Sequence, residues 1–132
     1  MGFGREKYGA VLVAAVGNQS NNNYVVPGTH VNVPGMVSVS ATNAFGDLVS
    51  FFNFGQESVH LFAPGEHIVS AGAFSLAGTT KSGISQVAHM VSAVLSKFLA
   101  KKKKISPEVL ERKLFDATKT MPHLADLSVN GS

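Results

Sequence analysis

An α/β fold with a mostly parallel sheet and flanking helices, incomplete within its 132 residues, is what the sequence predicts from three observations. The first is AVLVAAV at residues 10–16, a short and continuously apolar run closed by Gly17 and Asn18. A strand buried on both faces of a parallel sheet has that composition. The second is a change of period at Ser85: Val87, Val91, Val94, Leu95 and Phe98 recur at three- and four-residue intervals, with Ala88 and Ala93 between them. That spacing predicts a largely buried helix ending near residue 100. The third is an imbalance. Five or so strand candidates precede only two helices, whereas each parallel pair needs a crossover, usually a helical one. The shortage of helices predicts that residues 1–132, which show no internal repeat or linker, are one unit of a larger domain.

The remaining elements follow in order. GNQSNNN (17–23) is a polar loop, and residues 27–34, bounded by prolines, are expected to be extended and turn-like. MVSVSAT (36–42) alternates as a second strand, residues 43–47 make a turn, and LVSFFNFG (48–55) is a third strand candidate closed by glycine. VHLFAPG (59–65) is a fourth, stopped by Pro64-Gly65, and HIVSAG (67–72) is a short fifth. Ser106-Pro107-Glu108 is a strong helix start: a capping hydroxyl, a proline in the first turn and an acid beside the dipole. This second helix is expected to turn Val109, Leu110, Leu114 and Ala117 inward and to end near Thr118, leaving 121–132 as a tail of unassigned structure.

Composition narrows the function classes. An apolar content of 45 % with only 14 % charge describes a globular chain with a real core. The absence of cysteine excludes disulfides and thiol chemistry. The net charge of +3 is uneven, with seven of the eleven Lys and Arg between positions 97 and 113 and a peak at 101–104. No aromatic interleaving or groove-reading motif accompanies that cluster, so it predicts a solvated segment rather than a nucleic-acid partner. No apolar run approaches the ~20 residues of a membrane span. MGFGREKYGA lacks the apolar segment of a signal peptide, and the chain is expected to begin inside a fold. The glycine-rich stretches carry neither a phosphate-loop nor a dinucleotide signature.

Two side chains are candidates for chemistry. Ser85 heads the long helix, where a serine serves by default as a cap. A nucleophile at the same place would gain from the positive end of the helix dipole and from free backbone N–H groups. Asn18 follows Gly17 at the carboxyl end of a buried strand, the edge at which sites gather in open α/β sheets. There it is either a turn residue or an amide donor aimed at a developing oxyanion.

The order of motifs strengthens the chemical reading of both residues without removing the cap or the turn. VLVAAVGNQS (11–20), VPGTHVNVPGMVSVSATN (26–43), DLVSFFNFG (47–55), VHLFAPGEHIVSAG (59–72) and SGISQVAHMVSAVLSKFL (82–99) resemble the second half of the subtilisin-like serine proteases, the subtilases. The resemblance runs from about Val11 to Thr118 and implies a subtilisin-like fold and serine endopeptidase activity. It makes Ser85, in Gly83-Ile84-Ser85, the nucleophile. It makes Asn18, in Ala14-Ala15-Val16-Gly17-Asn18, the oxyanion donor. It also puts Ala15, Val16, Gly17 and Gln19 in the wall of the substrate pocket, where an uncharged Gln19 argues mildly against basic side chains. The family's catalytic Asp and His lie upstream of the matched region, so the resemblance implies that the N-terminal half of the same domain supplies them. The chain by itself is then expected to be inactive toward its peptide or protein substrate. Secretion is the family's habit, and location is otherwise undetermined.

The sequence departs from the family at Ile84, where threonine is usual, at Gln86, where methionine is usual, and at His89-Met90, where proline and histidine are usual. These changes motivate the alternative of a catalytically inactive relative kept for binding; a basic scaffold module acting through residues 101–104 is a further rival. His89, one helical turn after Ser85, can reach back toward it, although an i, i+4 neighbour is poorly placed to act as base while a substrate is bound. His30, His60, His67 and His123 show no metal-ligand spacing, and no cofactor is expected. Structural calcium occurs in the family, but no acidic cluster here supports it.

Overall fold

A computed structural model describes residues 9–17, 20, 35–50, 53–55, 58–72, 75–101 and 105–129. Three parallel strands, β1 (Leu12–Ala15), β2 (Met36–Thr42) and β3 (Leu61–Pro64), lie side by side in that order. Ala15 pairs with Val39 and Val39 with Leu61, so all three carboxyl ends reach the same edge of the sheet. β4 (Ile68–Gly72) and β5 (Ser75–Lys81) form a separate antiparallel ribbon. Two helices follow, α1 (Ile84–Lys101) and α2 (Pro107–Asp116), and then a 3-10 turn at Pro122–Leu124.

The core lies between the sheet and α1. Val37, Val39 and Ala41 on one face of β2 meet Ile84, Val87, Val91 and Leu95, all of them buried. Each fully buried valine or leucine contributes about 1.5–3 kcal/mol relative to exposure. The buried stripe 84, 87, 91, 95 leaves Val94 about 100° around the helix from Leu95, and Val94 is accordingly 40 % exposed rather than inward. α2 closes the core with Leu110 and Leu114. It begins as expected: the Ser106 side chain accepts from the Val109 N–H and Pro107 is the first helical residue. It ends at Asp116, and Ala117 is exposed.

One expectation is corrected, and two segments left unassigned take on structure. Residues 48–55 hold no strand among those described. Leu48 makes only an isolated bridge to Thr42, and Asn53 gives its backbone N–H to the Gly17 carbonyl, a group that a ladder would have needed. The strand β5, which the sequence reading did not assign, is held by its antiparallel backbone ladder with β4. Residues 121–129 pack on the body of the fold: the Val129 N–H donates to the Val59 carbonyl at 2.7 Å, and Leu124 is 1 % exposed. Residues 27–34 and lysines 102–104 lie outside the described residues.

Candidate active site

Strand ends and glycines build the site. β3 stops at Pro64, and the next N–H, of Gly65, donates to the Thr42 carbonyl at 2.9 Å. The Gly65 carbonyl then accepts from the Gly83 N–H, also at 2.9 Å. A Cβ on Gly65 would stand 2.6 Å from the Ala41 Cβ and 2.8 Å from Val87 Cγ2, so only glycine lets β2, this turn and α1 meet. The helix therefore starts at the carboxyl edge of the parallel sheet. Ser82 reinforces the approach by accepting the His67 N–H on its hydroxyl at 3.0 Å.

Ser85 is exposed at this edge, in the first turn of α1. The helix begins one residue earlier, at Ile84, so the capping position falls to Gly83 and the hydroxyl of Ser85 is not the cap that its sequence setting predicts. Ile84, where the resemblance would have a threonine, is 0 % exposed and belongs to the core. That departure is absorbed by packing. His89 Nδ1 lies 2.6 Å from the backbone carbonyl of Ser85. A carbonyl can only accept, so Nδ1 carries the proton and is committed to the main chain, not to the Ser85 hydroxyl. A hollow of about 440 Å³ opens beside this turn, lined by Ile68, Ser70, Lys81, Gln86, His89 and Met90 among others.

The end of β1 is held from the other side. The Val16 N–H donates to the Val39 carbonyl at 3.1 Å, and the Val16 carbonyl accepts from Asn53 Nδ2 at 2.9 Å. Gly17, at φ +105°, turns the chain out of the strand in the left-handed region that favours glycine. Its carbonyl accepts from the Asn53 N–H at 3.0 Å. Val16 is 0 % exposed and faces the core, so a pocket wall built here would present Ala15 and Gly17 and be backed by Val16. Continuing the Ala15–Val39 register brings Gly17 level with Ala41, the residue on which Gly65 sits. The exit of β1 and the turn that leads into α1 thus both lie beside Ala41 of β2. Asn18 and Gln19, the next two residues, lie outside the described residues.

Asn53 is the residue that sequence reading passed over. It is 2 % exposed, and besides holding Val16 and Gly17 it accepts the Ser40 hydroxyl on its own carbonyl at 2.6 Å. Its signal was a lone amide inside the apolar stretch SFFNFG. Among the described residues no three His, Asp or Glu side chains gather. No helix of those residues is long and apolar enough to cross a membrane.

Comparison with known proteins gives a consistent result. A family model described as the subtilase family matches residues 1–131. The chain is 41 % identical over 64 residues to subtilisin-like protease 2 of Plasmodium falciparum, covering 47 % of this chain and 5 % of that protein. It is 32 % identical over 123 residues to the mouse (Mus musculus) proprotein convertase subtilisin/kexin type 9, covering 89 % of this chain and 17 % of the relative. The solved structure of the prenylagaramide maturation protease PagA superposes with a TM-score of 0.71 at 25 % identity, over 90 % of this chain and 44 % of the protease. The chain thus spans a small fraction of the curated relatives and less than half of the solved one.

Proposed function

The chain belongs to the subtilase family, and on that premise we propose that it carries the nucleophile of a serine endopeptidase whose catalytic Asp and His lie outside these 132 residues. Ser85 attacks the scissile carbonyl carbon while its hydroxyl proton passes to the histidine. The C–N bond breaks, the histidine returns the proton to the leaving amine, and water then releases the acyl group from Ser85. Asn18 donates its side-chain amide to the oxyanion formed on the way, a contact worth about 10²–10³ in kcat. Ala15, Val16, Gly17 and Gln19 form one wall of the pocket for the substrate side chain. The remainder of the catalytic domain is the obligate partner, and the substrate is a peptide or protein.

The observation that carries this reading is the exposed Ser85 hydroxyl in the first turn of α1, at the same edge of the sheet as the exit of β1. A fluorophosphonate probe tests it, because such probes form a covalent bond only with an activated serine. The full-length protein should be labelled at Ser85, and Ser85→Ala should abolish labelling. The 132-residue chain alone should label at least 10³-fold more slowly, because removal of triad partners leaves little activation. Rapid labelling of the isolated chain would contradict the need for outside partners; no labelling of the full-length protein would favour the inactive, binding relative.

A further inference from the structure

The buried amide of Asn53 has no part in the chemistry above, yet it meets the end of β1 at two consecutive residues. We infer that Asn53 is a positioning residue for the oxyanion donor: it fixes the Val16–Gly17 exit of β1 and so sets the direction in which the chain enters Asn18. The inference rests on the reading of Asn18 as that donor.

Three hydrogen bonds make the device. Asn53 Nδ2 donates to the Val16 carbonyl at 2.9 Å and the Asn53 backbone N–H donates to the Gly17 carbonyl at 3.0 Å. The Ser40 hydroxyl, 0 % exposed on β2, donates to the Asn53 carbonyl at 2.6 Å and ties the assembly to the middle strand. Two successive carbonyls held by one residue leave the peptide planes of Val16 and Gly17 little freedom to rotate. Gly17 needs that restraint most, since a glycine at φ +105° has no Cβ to confine it. Asn53 is 2 % exposed, so water cannot substitute for the amide. A side-chain donor must meet an oxyanion within hydrogen-bond distance, and a displacement of about 1 Å costs on the order of 10² in rate.

The test uses the full-length protein with a peptide substrate. Asn53→Asp keeps the shape and replaces the Nδ2 donor with an oxygen facing the Val16 carbonyl. It should lower kcat by about 10- to 100-fold with KM changed less than about threefold, and Ser40→Ala should follow in the same direction with a smaller loss. The decisive comparison is with Asn18→Ala. If Asn53 acts through Asn18, adding Asn53→Asp to Asn18→Ala lowers kcat by no more than about twofold further. A general loss of folding would multiply the two effects, and thermal unfolding of each variant separates that case. An Asn53→Asp protein with wild-type kcat, or with fully multiplicative losses, overturns the inference. Backbone hydrogen exchange supplies a readout that does not need turnover: Asn53→Asp should speed exchange at Val16 and at residue 53, whose N–H groups donate to the Val39 and Gly17 carbonyls, at least tenfold while Val39 and Val87 keep their protection. Unchanged exchange at Val16 and at residue 53 also overturns it. A wild-type protein without peptidase activity would instead remove the reading on which it rests.

Discussion

At the scale of single residues, His60 couples this fold to pH. It lies just before β3, half-buried, and its Nδ1 accepts the Ser38 N–H at 3.0 Å, which only an unprotonated nitrogen can do. Its ring stacks on Phe115 of α2 with centroids 6.2 Å apart. Burial pulls its pKa below the ordinary 6.5, and the carboxylate of Glu111, also on α2, opposes that shift without reversing it. The folded chain therefore binds fewer protons than the unfolded chain just below pH 6.5. The stability this group contributes is fully present above pH 6.5 and is lost as pH falls from there through the lower folded value. His60→Asn places an amide oxygen near the position of Nδ1 and cannot titrate. Melting temperatures between pH 7.5 and 5 should fall less steeply for His60→Asn than for the wild type; parallel slopes would remove His60 as the cause.

At the scale of elements, the join between β3 and α1 is the least tolerant point. Gly65→Ala would push a methyl group into Ala41 and Val87, both 0 % exposed, so β2 and α1 must separate. Overpacking of this kind costs about 1–3 kcal/mol. Because the displaced element carries Ser85, fluorophosphonate labelling should slow by more than the lost stability alone explains, and a variant with unaltered melting and labelling would refute the close approach. The sequence showed Ala63-Pro64-Gly65 as a strand stop without showing what Gly65 touches, since that contact spans more than twenty residues in either direction. The same distinction runs through the rest of the fold. β1, β2 and both helices were legible because apolar period and capping are local signals, whereas Ser85 and Asn18 are nominated only by motif order, and of the two the described residues include Ser85 alone. β5 was not legible, since its pairing is a backbone ladder with β4 that no local sequence period announces. Residues 48–55 looked like a strand because their apolar content is strand-like; the polar ties of Asn53 to Val16, Gly17 and Ser40 decide their path, and no local pattern encodes such ties.

At the scale of the whole molecule, the three-stranded sheet leaves apolar structure at its β1 side. Among the described residues no strand pairs with the outer edge of Leu12–Ala15, and all four of these side chains are only partly buried. A hollow of about 270 Å³ runs beside that edge, lined by Gly9, Ala10, Val11, Val13, Leu95 and Leu99 among others, and Leu99 is 44 % exposed. Unpaired strand edges recruit other strands, and Leu12–Ala15 carries no lysine, proline or bulge that would discourage it. A net charge of +3, concentrated in the second half of the chain, supplies little repulsion there. The isolated chain should therefore self-associate as concentration rises from about 1 to 100 μM, the range in which exposed edges and apolar surface become aggregation-prone. Sedimentation velocity should show its weight-average mass climbing above 13.8 kDa. Leu99→Lys places a charge in the hollow and should weaken the association at least fivefold at unchanged secondary structure. A single species at monomer mass across the whole concentration range would show that the β1 edge needs no partner.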